Sequence, residues 1–242
     1  MSSFFNNPAS SLLGIDDIMK QEKKENNIIE NNINTNIEAN IVNDSNLSKQ
    51  ERLEKLKASF AECNKCGLAS TRTNIVFGDG NADTRLMFIG EGPGADEDAQ
   101  GLPFVGRSGQ LLTKMINAMG LSRQQVYIAN IVKCRPPSNR DPLMEEAQAC
   151  IGYLRSQIQI INPEIIVCLG SISLNFLLQP EGKVKLGISK LRGTWQDFYG
   201  YKVLPTFHPA YLLRNPSKKR EAWQDLQVVM KELGLEVPKS GD

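Results

Sequence analysis

Five cysteines, a single histidine and one glycine-flanked glutamate are the residues of this chain whose types and positions can do chemistry. Cys63 and Cys66 stand two residues apart, a chelating spacing because both sulfurs can reach one metal centre. Cys134 precedes a Pro136-Pro137 turn, and Cys150 follows sixteen residues later. Four thiolates can hold zinc or an iron–sulfur cluster. The ferredoxin runs and the doubled C-x2-C of zinc ribbons are both absent, so spacing alone leaves the choice open, with a chance C-x2-C as the plainer reading. Cys168, inside the apolar run Ile165–Leu169, reads as a buried small hydrophobe. His208 sits between an apolar run and Pro209. One imidazole cannot build a multi-histidine metal site, but it can donate a hydrogen bond or exchange a proton. Gly90-Glu91-Gly92-Pro93-Gly94 lacks the register of both the phosphate-binding P-loop and the dinucleotide fingerprint. Its glycines let a ligand approach the backbone, and Glu91 supplies a carboxylate; a simple strand-to-loop turn is the alternative. No G-x-S-x-G elbow supports a serine triad.

The elements that must position these groups alternate. Ser48 and Glu51 have capping-box spacing, and Leu53, Leu56 and Phe60 then share one helical face that leads into Cys63. Strands are expected over Arg85–Ile89, Val126–Val132, Ile165–Leu169 and Lys202–Thr206. Helices are expected over Leu111–Met119, from Asp141-Pro142 to about Ile160, from Gly170-Ser171 onward, and from Ser217 to Leu233. Strands separated by helices imply a mostly parallel sheet covered on both faces. Ligands of such sheets bind beyond the carboxyl ends of the strands. Glu91, Asn130, Gly170-Ser171 and His208 all fall there, so four separate segments point at one edge.

Composition bounds the partners. The 242 residues carry 28 basic and 27 acidic side chains, a net charge of +1, which argues against a histone-like polyanion binder. The charge is uneven: residues 1–62 are net −3, and nine basic residues face two acidic ones within Lys183–Glu221, a stripe able to meet an anionic partner. Residues 1–46 hold eleven asparagines without a helical or strand period, and are expected to be a disordered tail preceding a domain over 47–242. No apolar run reaches bilayer length and no signal peptide is evident, so an intracellular, cytoplasmic chain without membrane contact is expected.

Four segments, Gly90–Gly94, Leu102-Pro103-Phe104-Val105-Gly106-Arg107-Ser108-Gly109, Asn130-Ile131-Val132-Lys133-Cys134-Arg135-Pro136-Pro137 and His208-Pro209-Ala210-Tyr211-Leu212-Leu213-Arg214, together with the four ordered cysteines, give the chain its likeness. Over roughly residues 50–235 it resembles the family 4, iron–sulfur uracil-DNA glycosylases. The resemblance implies a three-layer α/β/α fold with a central four-stranded parallel sheet. It implies a [4Fe–4S] cluster on Cys63, Cys66, Cys134 and Cys150, with Cys168 free. It implies uracil binding by Gly92, Phe104, Asn130 and His208, with Phe104 stacking on the flipped base, Asn130 reading its N3–H and O4 edge, and His208 stabilising the departing anion. Ser108, Ser171 and Arg214 are then phosphate contacts, and Leu212 or Leu213 a wedge into the vacated stack. Where related branches carry an aspartate to position water, this chain has Gly92. Glu91 is therefore the second catalytic candidate, as water holder, electrostatic support or brace of the loop, with the carbonyls around Gly92 as the alternative. The implied partner is uracil-containing DNA, single- or double-stranded, met by a monomer in a bacterial-type cell interior with nucleoid-associated activity; nothing points to a particular repair or replication partner. No lysine is placed for lyase chemistry. Two other readings stand beside this one: the same fold acting on hypoxanthine, which pocket size would decide, and a catalytically silent iron–sulfur DNA-binding or electron-transfer module, which needs no polar groups at the strand ends.

Overall fold

The computed structural model describes residues 40–179 and 185–237. Most of the expected tail, residues 1–39, lies outside the described residues; residues 40–43 take one helical turn. From Asp44 onward the chain forms one compact unit. The capping box forms as the sequence implies: Ser48 Oγ accepts from the Glu51 amide at 3.2 Å, and Glu51 Oε2 accepts from the Ser48 amide at 2.8 Å. It opens helix α1, Lys49–Ser59, whose Leu53 and Leu56 are buried.

The remaining elements follow in chain order as strands β1 (Asp79–Gly80) and β2 (Leu86–Gly90), helices α2 (Ala95–Gln100) and α3 (Arg107–Ala118), strand β3 (Tyr127–Asn130), helix α4 (Met144–Ile161), strand β4 (Ile165–Leu169), helices α5 (Gly170–Leu178) and α6 (Ile188–Leu191), strands β5 (Gln196–Phe198) and β6 (Tyr201–Thr206), and helices α7 (Pro209–Arg214) and α8 (Lys219–Glu232). The sheet order is β1-β3-β2-β4-β6-β5. The central four strands run parallel, in registers such as Met87↔Tyr127, Leu86↔Ile165 and Ile165↔Lys202. They are the four strands the sequence implied. Short antiparallel strands β1 and β5, which it did not announce, close the two edges. Every residue of β2, β3 and β4 is buried, as expected where helices cover both faces. Helices α3 and α8 cover one face through Leu112, Ile116, Leu226 and Val229. On the other, α5 contacts β2, β4 and β6, and α4 packs against α5 and α1.

The first parallel step goes from β2 to β3, and the chain then returns across β2 to β4 before adding β6. That reversal places the switch point at β2 and β4, whose carboxyl ends are Gly90 and Leu169. Several boundaries differ from expectation: helix α3 begins at Arg107, four residues before Leu111, and α8 at Lys219 rather than Ser217. Helix α4 begins at Met144 rather than at Pro142, because Glu146 turns back to accept the Leu143 amide at 2.8 Å and both Arg140 guanidinium nitrogens at 2.8 and 2.7 Å. Strand β3 ends at Asn130, after which the Ile131 and Val132 amides donate to the Gly90 and Glu91 carbonyls and draw the following loop over the strand ends. No helix among the described residues is long and apolar enough to cross a membrane.

Candidate active site

At the carboxyl end of the sheet a cavity of about 590 Å³ is lined by Glu91, Gly92, Phe104, Ser108, Asn130, Ser171, His208 and Arg214, together with the loop around Asp141. The sequence-derived catalytic, base-binding and phosphate-contact residues thus line one cavity, apart from the two leucines, while the four cysteines lie outside it. The floor depends on Gly90: a Cβ there would lie 2.5 Å from both Asn130 Oδ1 and the Phe104 ring, so only glycine lets the amide and the ring sit over β2.

Asn130 is the last residue of β3, in register with Gly90, and is 1% exposed. Its Oδ1 is buried with no hydrogen-bond partner. An unsatisfied buried acceptor costs about 1–3 kcal/mol, so it marks a place where a ligand donor belongs. The Phe104 ring, itself buried, lies 5.7 Å from the His208 ring, inclined at 35°.

His208 follows β6 and caps α7. Its Nδ1 accepts the Ala210 amide at 3.1 Å, which leaves the proton of the neutral ring on Nε2. Burial, then the Arg214 charge, push its pKa down to about 4, against an opposing pull from Glu97. The imidazole is therefore a neutral donor of fixed tautomer at physiological pH. Gly170, at φ +92°, makes room for it: a Cβ there would come within 2.9 Å of His208 Cβ. Glu91 is driven the other way. Burial, helped by the nearby Asp141 charge, raises its carboxyl to about 7, so it can exchange a proton near neutrality.

Ser108 and Ser171 stand in the first turns of α3 and α5, where backbone amides favour an anion. Leu212 is 1% exposed, packed with Phe207 and Ala222, so it belongs to the core and cannot enter a base stack. Leu213 is half-buried and Arg214 exposed, and they are the outward members of that segment. The basic stripe is also smaller than the sequence suggests: Arg192 pairs with Asp225, Lys202 with Glu232 and Lys218 with Glu221.

The four cysteines of the resemblance share one neighbourhood. Cys134 and Cys150 are buried, Cys63 and Cys66 half-buried. Burial pushes the Cys66 and Cys134 thiols up and Cys150 to about 12, with further upward contributions among the cysteines themselves. Donors already face three sulfurs: the Leu68 amide toward Cys66, the Lys133 amide toward Cys150, and Arg72 Nη1 at 3.5 Å from Cys134 Sγ. Among the described residues no three His, Cys, Asp or Glu side chains close on a single-ion site. Cys168 is wholly buried, and burial alone raises its thiol.

Several supports of the site were not foreseen. Lys133, wholly buried, donates to the Asn130 carbonyl at 2.9 Å and to Gln157 Oε1 at 2.6 Å, while Gln157 reaches the Phe77 carbonyl and the Tyr127 hydroxyl. Thr206 donates to Asp225 at 2.7 Å, and Arg192 grips the same carboxylate, fixing the strand end two residues before His208. The available signal was a charged residue inside an apolar pattern: Lys133 after Ile131-Val132, and Asp225 on the face of α8 that carries Ala222, Leu226 and Val229.

Residues 77–227 match the model of the uracil DNA glycosylase superfamily. The chain is 50% identical over 173 residues to the type-4 uracil-DNA glycosylase of Thermotoga maritima, covering 71% of this chain and 88% of that protein. It is 45% identical over 189 residues to the type-4 enzyme of Saccharolobus solfataricus, covering 76% and 87%. A type-5 uracil-DNA glycosylase of Pyrobaculum aerophilum is 29% identical over 154 residues, 57% of this chain and 67% of that protein. On the superfamily match and these relatives, the chain belongs to the uracil-DNA glycosylase superfamily, alongside its type-4 members.

Proposed function

We propose that this chain is a monofunctional glycosylase that flips uracil out of DNA and hydrolyses its N-glycosidic bond, leaving an abasic site. The observation that carries the reading is the meeting, in one cavity, of an unpartnered acceptor, Asn130 Oδ1, and a neutral donor, His208 Nε2–H. Uracil offers the complement. Its N3–H donates to Asn130 Oδ1, its O4 accepts from the Asn130 amide nitrogen, and its O2 accepts from His208. Cytosine would set an unprotonated N3 against the same acceptor, so the site repels it. A base must leave the stack to reach such a pocket, and the Phe104 ring supplies the surface on which it restacks.

Bond cleavage places the bonding pair on the uracil ring. The His208 donor, already held by the Ala210 amide, meets the negative charge growing on O2 without reorganising. Water adds to the sugar carbon as the N-glycosidic bond breaks, and its proton passes to Glu91, whose raised carboxyl suits that exchange. The amide-rich first turns beside Ser108 and Ser171, with Arg214, hold the flanking phosphates, and Leu213 fills the space the base vacates.

Cys63, Cys66, Cys134 and Cys150 would hold a [4Fe–4S] cluster, which when bound supplies a covalent cross-link between the 63–66 segment, the loop after β3 and α4. The donor set suits it: amide and guanidinium donors face three of the four sulfurs and would offset the charge of thiolate ligands. The catalytic unit is residues 47–242, the pocket is complete within one copy, and the substrate places the enzyme where the cell keeps its DNA. The test is alkaline cleavage of a labelled oligonucleotide carrying one central uracil. Wild-type cleavage that depends on uracil and collapses in Asn130→Ala and His208→Ala supports the reading. A cluster-loaded wild type that cuts nothing overturns it.

A further inference from the structure

The backbone under the stacking ring is held in a conformation that phenylalanine avoids. Phe104 has φ +53°, in the left-handed region. Such a conformation persists only where its surroundings over-determine it, and such residues gather at functional sites. Here the surroundings are two charged side chains on opposite sides of one turn. On the carbonyl side, Arg123 donates from Nη1 to the Phe104 oxygen at 2.9 Å and from Nη2 to the Pro103 oxygen at 2.8 Å. On the amide side, Glu97 Oε1 accepts from both the Val105 and the Gly106 amide at 2.9 Å. The second Glu97 oxygen takes the Gly94 amide at 3.1 Å, so one carboxylate ties the loop that bears Glu91 to the turn that bears Phe104. Gly109 leaves the third side open, since any Cβ there would collide with the Phe104 carbonyl.

The chemistry of these contacts is unusual for the residues making them. A guanidinium fork matches a carboxylate, yet Arg123 spends both prongs on consecutive carbonyls while the Asp79 carboxylate stands 3.8 Å away. Glu97 is 7% exposed and is occupied by three amides. We propose that Glu97 and Arg123 are positioning residues: a two-sided clamp that fixes the Phe104 ring as the platform on which the extruded base stacks. This rests on the reading of Phe104 as the stacking residue in uracil excision. The Arg123 half of the clamp acts through the Phe104 turn, while Glu97 also braces the Glu91 loop at Gly94, and a flexible turn in place of the clamp would let the ring fall into the empty pocket or tilt from the base plane.

Single-turnover uracil release by the full chain, with enzyme in excess over a uracil oligonucleotide, separates this from mere structural support. Misfolded molecules lower the amplitude of that reaction, whereas a misplaced ring lowers its rate constant. Arg123→Ala and Glu97→Gln are each expected to lower the rate constant about 10- to 100-fold, the scale of a small misplacement of a reacting group, with full amplitude and unchanged affinity for an abasic-site oligonucleotide. Arg123→Lys, which can reach one carbonyl, should fall between. Because the clamp works through the ring, Arg123→Ala in a Phe104→Ala background should cause no further loss. A preserved rate constant with reduced amplitude, or a double variant whose loss is the product of the two single losses, overturns the clamp. A wild type that releases no uracil, seen before any variant is made, overturns the functional reading beneath it, and a Phe104→Ala variant as fast as wild type overturns the stacking role and the clamp together.

Discussion

The pocket and the cysteine corner, neighbours at the same end of the molecule, are built on opposite plans. Behind the pocket the supporting polar groups have protein partners: His208 Nδ1 holds the Ala210 amide, Thr206 the Asp225 carboxylate, and the Asn130 carbonyl the Lys133 ammonium. Asn130 Oδ1, buried in the pocket without a partner, is the atom a substrate would satisfy. The cysteine corner has packing on one side, where the Phe60 and Tyr153 rings meet at a 47° tilt with centroids 4.0 Å apart and Lys65 lies over the Tyr153 ring at 4.4 Å. Its thiols instead face one another and a few donors, and burial raises three of the four. The pocket is pre-organised by the protein; the corner is where the proposed cluster would sit.

The largest effect expected is on the pocket side. His208→Ala removes the donor aimed at the leaving group and should lower the rate of uracil excision by about 10²- to 10³-fold. It also removes the cap on the Ala210 amide, which costs about 1 kcal/mol and so a few degrees of Tm. Excision kinetics and a thermal melt on the same preparation check both halves. A large melt shift without a kinetic loss would place His208 among the structural caps.

The corner should respond in the reverse sense. Cys150→Ser should abolish the broad visible absorbance of a cluster and lower Tm by about 10 °C, because binding of a structural metal group contributes directly to folding stability. The single-turnover rate of the molecules that remain folded should change little, since no thiol lines the cavity. A visible spectrum that survives the substitution would remove Cys150 from the ligand set. A rate that collapses while amplitude and melt persist would erase the contrast between the two regions.

What was legible in the sequence follows the same division. The four parallel strands were visible as short apolar runs bounded by glycine or proline, and the helices between them by periodicity and by the Ser48–Glu51 cap. Asn130, His208 and Glu91 could be located because strand ends of a parallel sheet converge. The supports were not legible. Glu97 reads as one more acid in Asp96-Glu97-Asp98, and only the folded loops show that it gathers three amides. Leu212 and Leu213 are indistinguishable in one dimension, and the phase of a single helical turn decides that Leu212 packs in the core. The edge strands β1 and β5 are too short to carry a period.

Glu91 sharpens the comparison through pH. Its carboxyl, raised to about 7, must be ionised to take a proton from water, so activity should fall as pH drops below about 7. Stability runs the other way. The folded state favours the protonated form, so this group's contribution is present below the ordinary carboxylate pKa and is lost as pH rises through about 7. Glu91→Gln should therefore slow excision by about 10- to 100-fold and flatten the acid limb of its pH profile. At pH 8 the same variant should melt higher than wild type. A variant that keeps the acid limb assigns that titration to another group.

The smallest effect expected comes from Lys133, the residue that belongs to both regions: its ammonium holds the Asn130 carbonyl and its amide faces Cys150. Lys133→Met keeps the length of the side chain and the backbone amide that faces Cys150, so the corner loses only the nearby charge that Lys133 sets beside Cys150 and Cys134, and the visible spectrum should be retained. The pocket loses one hydrogen bond to the residue that reads the base, while Gln157 Oε1 and the Asn130 carbonyl are left short of a donor inside the core. Leaving such acceptors unmet costs about 1–3 kcal/mol each, paid as stability and as drift of Asn130. The expected loss of excision rate is about 3- to 10-fold, well short of the loss from removing the Asn130 amide itself, because backbone pairing with Gly90 still holds β3 in register. A loss as large as that of Asn130→Ala would make Lys133, and not the strand, the element that sets the reading edge.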